Sequence, residues 1–89
     1  MITITAIHLV GGEQHENIAE VKWENASNGQ SGVAPKAEMV SYVKANPGNA
    51  VVQDSTSTIP LEIFDADPPY VRTRADDKWT DNLLALPKY

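Results

Sequence analysis

Residues with complementary chemistry gather in one short stretch near the C-terminal end of the sequence. Tyr70, Arg72 and Thr73 share a predicted strand, and Asp81 and Asn82 follow soon after it. The planar guanidinium of Arg72 is able to hold a carboxylate or a phosphate through two parallel hydrogen bonds. Hydroxyl, carboxylate and amide groups beside it would fix the orientation of a bound molecule. The stretch therefore predicts a site for a small anionic or nucleotide-like ligand.

The same stretch also has a purely structural interpretation. Arg72 or Arg74 is able to form an ion pair with Asp76 or Asp81, which would tie the end of the chain to the sheet. Exposed ion pairs contribute little free energy, so such a contact would act mainly by positioning the two segments. Both interpretations stay open at the level of the sequence.

A second polar string, Gly11-Gly12-Glu13-Gln14-His15-Glu16, follows the first predicted strand. A glycine pair frees the backbone to present polar side chains, but the three-glycine dinucleotide pattern and the Walker lysine are both missing. His15-Glu16 matches the start of a zinc metalloprotease motif, yet Ala19 stands where that motif has its second histidine. We therefore predict no metal and no cofactor, and we place His15 and Glu16 in the ligand site predicted above.

A second histidine lies within the first predicted strand. His8 is surrounded there by apolar residues, where a half-buried imidazole usually has its hydrogen bonds satisfied within the fold. The expected role is structural, and a site that His8 shares with His15 stays open.

Few other groups are suited to catalysis. Paired carboxylates support acid-base chemistry when their pKa values differ, and the sequence offers Asp65 with Asp67 and Asp76 with Asp77. Each pair lies at the end of a predicted strand or in a turn, where aspartate is favoured for backbone reasons. The sequence has no cysteine, which excludes a thiolate nucleophile. We therefore predict no catalytic residue.

The elements that position these residues are predicted from hydrophobic periodicity. Alternating or β-branched runs indicate strands at residues 2–10, 18–25, 30–33, 50–54, 59–64 and 70–74. Asn28-Gly29 indicates a tight hairpin turn before the third strand, and the glycine within that strand predicts that it lies at an edge of the sheet. Met39, Val40 and Val43 recur at helical spacing after Pro35, which we place at the first helical position.

The remaining segments complete the predicted topology. The polar run 55–58 is predicted to be a loop. Leu83, Leu84 and Leu86 make the tail too apolar for a free end, so we expect it to dock on the core as a single helical turn capped by Asp81. The sequence thus predicts an α+β fold for residues 1–89 as a single domain. Its mainly antiparallel sheet of five to six strands has one helix packed on a face, in the order β-β-β-α-β-β-β plus the docked C-terminal turn.

Charge and composition restrict the partners. Twelve acidic residues against seven basic ones give a net charge of -5, and the basic residues are scattered, so nucleic acid is not expected as a partner. No apolar run reaches the roughly 18 residues of a membrane helix, so no membrane partner is expected. The first residues do not resemble a signal peptide, and we expect a cytoplasmic protein. With only 89 residues the core is small, and pairing with a second copy would add stability.

Two strings together identify a family resemblance. GG-x-x-HE-x-I spans Gly11 to Ile18, and PPYVRT-x-AD-x-x-WTDNLLALP ends at Pro87. With both, the chain resembles the family of short bacterial proteins known as domain of unknown function 3892, over nearly its whole length. The resemblance implies a stand-alone domain of bacteria or their phages and implies no particular activity.

Three functional hypotheses follow. The first is a non-catalytic binding or interaction module that forms a homo-oligomer through exposed strand edges near residues 29–33. The second is a protein that binds a small anionic or nucleotide-like ligand in a pocket near His15, Tyr70 and Arg72. The third is a metal-assisted hydrolase that uses the acidic pairs.

Overall fold

The computed structural model has an α+β fold whose elements follow the local sequence patterns. It describes residues 1–53 and 57–89. Within those residues lies a short 3-10 helix, His15–Asn17, together with strands and one α-helix. These are β1 (Ile2–Leu9), β2 (Ile18–Asn25), β3 (Gln30–Pro35), α1 (Lys36–Ala45), β4 (Ala50–Gln53), β5 (Thr58–Phe64), β6 (Tyr70–Ala75) and β7 (Lys78–Thr80).

The described strands form a sheet in the order β3-β2-β1-β4-β5-β6-β7. Neighbouring strands run antiparallel except β1 and β4, which run parallel. A parallel pair needs a long connection, and β2, β3 and α1 supply it here. The predicted mainly antiparallel sheet is confirmed. The predicted five to six strands fall short of the seven found among the described residues, because Lys78–Thr80 is too short to show alternation.

Predicted and observed boundaries of the other elements agree within two residues at each end, with one difference in detail at the helix. Pro35 closes β3 and lies just before the helix, in extended conformation, whereas the sequence predicts it at the first helical position. Its ring fits either place because it has no N–H to leave unpaired. The predicted strand 50–54 is observed as β4, and residue 54 lies outside the described residues together with residues 55 and 56 of the predicted loop.

Two tight turns join antiparallel neighbours. β2 and β3 meet through a turn in which Gly29 has a φ of +73°, a conformation that favours glycine. β6 and β7 are joined by Asp76 and Asp77 alone, whose φ angles are +51° and +63°. Positive φ at both central residues matches the two-residue turn that suits the twist of a hairpin. The predicted placement of this acidic pair in a turn is therefore confirmed.

The helix covers the sheet and closes the core. α1 contacts β2 and β3 as well as β5 and β6, so it lies across the sheet. Met39 and Val43, one turn apart, are its buried residues, and Val40 is half-buried beside them. The main buried cluster joins these to strand and tail residues, namely Ile2, Ile4, Ile7, Ile18, Val21, Ala34, Ala50, Val52, Leu61, Val71 and Leu83.

The C-terminal segment docks as expected. Leu83 is fully buried, and the Ala85 N–H donates to the Asp81 carbonyl oxygen at 3.0 Å, which closes one helical turn. Beyond it the chain lies beside β1, where the Ile7 N–H donates to the Pro87 carbonyl at 2.9 Å and the Tyr89 N–H to the Ile7 carbonyl at 3.1 Å. The Asp81 carboxylate was predicted to cap this turn. In the structure its Oδ1 accepts a hydrogen bond from Arg72.

No helix within the described residues is long and apolar enough to cross a membrane.

Candidate functional site

The loop between β1 and β2 is folded so that the 3-10 helix containing His15 lies against β6. Gly11 has a φ of +79°, and a Cβ atom on Gly12 would lie 2.5 Å from Asn17 Oδ1, so the side chain of Asn17 occupies the space that glycine leaves. The same Oδ1 accepts a hydrogen bond from the Gln14 N–H at 3.1 Å. The glycine pair thus serves a close approach of the backbone to Asn17, and the short 3-10 helix begins immediately at His15.

β6 supplies the opposite wall of the site. Its side chains alternate, so that Val71 and Thr73 are buried while Tyr70 and Arg72 are half-buried on the other side. β7 pairs with β6 only from Thr73 onward, which leaves the first half of β6 without a strand on that edge. The 3-10 helix lies against β6 there.

A cleft of about 310 Å³ opens between these elements. This volume is at the lower end of the range for small-molecule sites, which is roughly 300 to 1,000 Å³. Its walls combine one base, two acids, an imidazole, a phenol, an amide and one apolar side chain. The lining residues are Gln14, His15, Glu16, Tyr70, Arg72, Asp81 and Leu84.

Arg72 is held in a fixed position by two hydrogen bonds. Its Nε donates to the Thr80 carbonyl oxygen at 3.2 Å, and a terminal nitrogen donates to Asp81 Oδ1 at 3.0 Å. The internal ion pair considered from the sequence is therefore present between Arg72 and Asp81. The Asp81 side chain is 73 % exposed, so the pair lies at the mouth of the cleft, where solvent screens it and the carboxylate has room to move.

His15 is the exceptional residue of the cleft. It is only 6 % exposed, and its Nε2 is the one buried side-chain nitrogen or oxygen among the described residues that has no hydrogen-bond partner. Leaving a buried polar atom unpaired costs about 1–3 kcal/mol. Its neighbour Asp81 Oδ1 lies 3.8 Å away, beyond hydrogen-bond range.

The surroundings keep this imidazole neutral. Burial lowers the pKa of His15 below its ordinary value of 6.5, the positive charge of Arg72 lowers it further, and the Asp81 carboxylate opposes both effects. A neutral imidazole has one nitrogen that donates and one that accepts. In this cleft it therefore adds polarity without adding charge.

Tyr70 connects the cleft to a row of aromatic rings. Its ring is nearly parallel to that of Phe64, with centroids 4.9 Å apart, and to the imidazole of His15, with centroids 6.4 Å apart. Phe64 in turn contacts Trp79 at 5.1 Å, and the Arg74 guanidinium lies 5.0 Å from the Trp79 ring centroid. These contacts hold the Tyr70 ring as a rigid wall of the cleft.

The structure brings together five of the seven residues predicted for the ligand site, His15, Glu16, Tyr70, Arg72 and Asp81. Thr73 and Asn82 do not line the cleft. Thr73 is completely buried because it lies on the inner side of β6, where its hydroxyl donates to the Thr80 carbonyl at 3.2 Å. Asn82 is half-buried in the docked turn.

Two lining residues, Gln14 and Leu84, were not predicted. Gln14 directly precedes His15 in the loop, which is the only signal the sequence gives for it. Leu84 follows the fully buried Leu83, and the sequence does not show which of the adjacent leucines faces the core.

The second histidine has a separate set of neighbours. His8 Nδ1 is hydrogen-bonded to the backbone oxygen of Tyr89, and its ring lies 5.3 Å from the Tyr89 ring. The ring partner of His15 is Tyr70 instead. The structure therefore does not join the two imidazoles in one site. In the part of the chain that is described, no group of three or more His, Asp or Glu residues has the arrangement of a metal site.

A family match covers nearly the whole chain. The sequence model of the family described as "Protein of unknown function (DUF3892)" matches residues 3–87, a range that includes every residue lining the cleft. No curated protein and no solved structure matches the chain.

Proposed function

We propose that this chain, which belongs to the DUF3892 family, is a non-catalytic binding module that takes a small anionic or nucleotide-like ligand in the cleft beside Arg72. The observation that carries the proposal is the buried, unpartnered Nε2 of His15 next to a guanidinium whose counterion is exposed. Buried polar groups without partners are rare in folded proteins and are more frequent at functional sites.

Arg72 is suited to hold an anion because it is already fixed in place. Its hydrogen bond to the Thr80 carbonyl oxygen orients the guanidinium before any ligand arrives. A prearranged guanidinium loses less side-chain entropy on binding, and its planar fork matches the geometry of carboxylate and phosphate oxygens. The two observed hydrogen bonds of Arg72 leave further N–H donors of the fork for a ligand.

The shape of the cleft favours a ligand that has a flat part as well as an anionic group. The Tyr70 ring lines the cleft and is held in place by its contacts with Phe64 and His15, so the cleft has an aromatic wall as well as a cation. At the opposite wall the Gln14 amide is able to donate and accept hydrogen bonds, and the Glu16 carboxylate is able to accept them. These features support a nucleotide-like or aromatic anion over a bare inorganic ion as the physiological ligand.

Binding without chemistry fits the position of the titratable groups. A general base must come within hydrogen-bond distance of the proton that it removes. His15 Nε2 is shielded from solvent and faces the Asp81 carboxylate, so it is poorly placed to reach a substrate in the open part of the cleft.

A thermal-shift screen tests this proposal. Phosphate, citrate, nucleoside monophosphates and aromatic carboxylates should include at least one compound that raises the melting temperature of the wild-type protein in a saturable way. Arg72→Gln should abolish that response, because it removes the charge and the fork. Arg74→Gln is the matched control, since Arg74 lies on the same strand but stacks on Trp79 outside the cleft. A panel without any response, or an unchanged response in Arg72→Gln, would overturn the proposal.

Self-association through β3 is a second candidate, supported by the character of that strand. β3 is one of the two outermost strands of the sheet, and among the described residues its strand partner is β2 alone. Its sequence, Gln30 to Pro35, contains no charged residue, and Val33 is 49 % exposed. Natural proteins usually protect an open edge of this kind with charges, because unpaired backbone groups recruit another strand. A second copy of the same edge would satisfy them.

Light scattering at micromolar concentration tests this second candidate. The wild-type protein should have the mass of a dimer, and Val33→Lys should be monomeric because it places a charge at the centre of the edge. Val10→Lys is the control, since Val10 is 58 % exposed and lies away from β3. A monomeric wild type would rule out association through this strand.

A further inference from the structure

We infer that Asp81 is a built-in competitor for the anion site: an incoming anion replaces its carboxylate on Arg72, and the displaced carboxylate moves to His15, which takes up a proton from solvent. This inference rests on the proposed anion-binding function and adds to it the way in which the cleft is opened and its charge balanced. It assigns to Asp81 a role in selecting ligands that is separate from direct contact with them.

The distances around Asp81 support this exchange. Its Oδ1 lies 3.0 Å from the terminal nitrogen of Arg72 and 3.8 Å from His15 Nε2. A hydrogen bond between an imidazolium and a carboxylate is about 2.7–2.9 Å long, so a shift of roughly 1 Å would complete it. The Asp81 side chain is 73 % exposed and has space for this movement. Its backbone is held meanwhile by the hydrogen bond from Ala85.

The unpartnered His15 Nε2 provides a new hydrogen-bond partner for the displaced Asp81 carboxylate. In the structure with Asp81 on Arg72, His15 Nε2 is buried and makes no hydrogen bond. After the exchange Nε2 carries a proton and donates a hydrogen bond to the Asp81 carboxylate, so both groups have a partner. The anion has taken over the position on Arg72 that Asp81 has left. Every polar group named here is then paired, which the ligand-free arrangement does not achieve.

Charge balance explains why a proton is bound in the same step. With neutral His15, the charges of Arg72 and Asp81 cancel, and a bound monoanion would add a negative charge to a half-buried cleft that already contains the Glu16 carboxylate. Protonation of His15 offsets the charge that the anion adds. Uncompensated charge is costly away from bulk water, so the anion and the proton stabilise each other's binding.

The charged and titratable groups around His15 come from every element that packs near it. They are Tyr70 and Arg72 of β6, Asp81 after β7, Glu16 of the 3-10 helix itself, and Lys36 of α1, whose ammonium binds the Glu16 carbonyl oxygen at 3.0 Å. In the free protein burial and Arg72 lower the pKa of His15. A bound anion offsets the charge of Arg72, and the approach of Asp81 strengthens the one effect that raises this pKa. Anion affinity should therefore rise as the pH falls and the imidazole accepts its proton.

NMR titration with sulfate tests the exchange, because sulfate does not itself change charge near neutral pH. The His15 imidazole resonances should be followed against pH in sodium sulfate and in sodium chloride of equal ionic strength. The midpoint of the His15 titration should move to higher pH in sulfate. The resonances of His8, which belongs to another cluster, report any general effect of the salt.

The variant Asp81→Asn tests whether the Asp81 carboxylate competes with the anion for Arg72. This variant should bind sulfate several-fold more tightly than the wild type at pH of about 8, as read from the amide shifts of Gln14 to Asn17, because no carboxylate has to be displaced. Binding that is equal or weaker in Asp81→Asn would overturn the inference. Sulfate binding to the wild type without any change in the His15 titration would also overturn it while leaving the proposed anion site intact. If sulfate affects neither the amides nor His15, both proposals fail.

Discussion

Two clusters in this molecule contain the same kinds of side chain and differ in almost every other respect. Each combines a histidine, a tyrosine, an acid and a base. The His15 cluster consists of His15, Tyr70, Asp81 and Arg72, and the His8 cluster consists of His8, Tyr89, Glu20 and Lys22. The first lines a cleft between β6 and the loop after β1. The second lies where the C-terminal segment is attached to β1.

The His8 cluster is closed, because its members bind one another. The Tyr89 hydroxyl donates to Glu20 Oε1 at 3.0 Å, and the Lys22 ammonium lies 4.5 Å from the centroid of the Tyr89 ring. Burial, and then the Glu20 carboxylate, raise the pKa of Tyr89 to about 12. In the His15 cluster, by contrast, one buried nitrogen has no partner and the counterion of Arg72 faces solvent. Composition therefore does not distinguish the two clusters. The unsatisfied buried nitrogen beside a fixed charge is what makes the His15 cluster the candidate site.

The largest effect is expected from a substitution in the C-terminal segment, which carries residues of both clusters. Leu83 is fully buried and lies on the segment that runs from Asp81 to Tyr89. Replacing a buried leucine by alanine typically costs about 2–5 kcal/mol of unfolding free energy, and we expect Leu83→Ala to fall in this range. Urea denaturation gives the value, with Val10→Ala, at an exposed position, as the control. A loss below about 1 kcal/mol would mean that the tail does not support either cluster.

A matched pair of substitutions compares the two bases directly. Arg72→Ala removes charge-assisted hydrogen bonds to Asp81 and to the Thr80 carbonyl, and we expect a loss of about 1–3 kcal/mol. Lys22 is exposed and makes a cation–π contact, so Lys22→Ala should cost no more than about 0.5 kcal/mol. Both losses of unfolding free energy are measured by urea denaturation. Equal losses in the two variants would contradict the proposed difference between the fixed Arg72 and the exposed Lys22.

The pH dependence of stability should trace to His15. The unfolded chain binds a proton there near the ordinary pKa of 6.5, whereas burial and Arg72 lower the pKa in the folded protein. Below a pH of about 6.5 the unfolded state holds more protons, so the free energy of unfolding decreases as the pH falls. His15→Gln should make this decrease shallower between about pH 7.5 and 5. An unchanged slope in His15→Gln would contradict the assignment to His15.

The smallest effect concerns the attachment of the tail. Tyr89→Phe removes one exposed hydrogen bond to Glu20, and a loss of a few tenths of a kcal/mol is expected at neutral pH. Because the folded-state pKa is raised from 10.0 to about 12, the stabilisation is present below pH 10 and is lost as the pH rises toward 12. Alkaline unfolding should therefore be less steep in Tyr89→Phe, and also in Glu20→Gln, than in the wild type. If the stability of all three proteins depended on alkaline pH with the same slope, the hydrogen bond between Tyr89 and Glu20 would not be the cause of that dependence.

Local patterns predicted most of the fold. The alternation in β2, the Asn28-Gly29 turn and the apolar stripe of the helix are each contained in a short window of sequence, so they were predictable. The strand order was not predictable, because β1 pairs with β4 through residues such as Ile2 and Ala50, which are separated by more than half of the chain. β7 was missed because three residues are too few to show a period.

The candidate site divides in the same way. The alternation of β6 places Tyr70 and Arg72 on one side, and the same rule places Thr73 on the other side, away from the cleft. The approach of His15 to this strand follows from the tertiary fold and from the glycine pair that packs on Asn17. That Nε2 has no partner is a property of the packed structure, which no spacing in the sequence reveals.

The two arginines of β6 allow the central claim, that the His15 cluster binds an anion through Arg72, to be tested within one spectrum. The side-chain Nε–H resonances of Arg72 and Arg74 should be followed by NMR while sulfate is added at constant ionic strength and a pH of about 6. The Arg72 resonance should move along a saturable curve, whereas that of Arg74, stacked on Trp79, should show only a small linear drift. Equal linear drift of both resonances would contradict an anion site at Arg72.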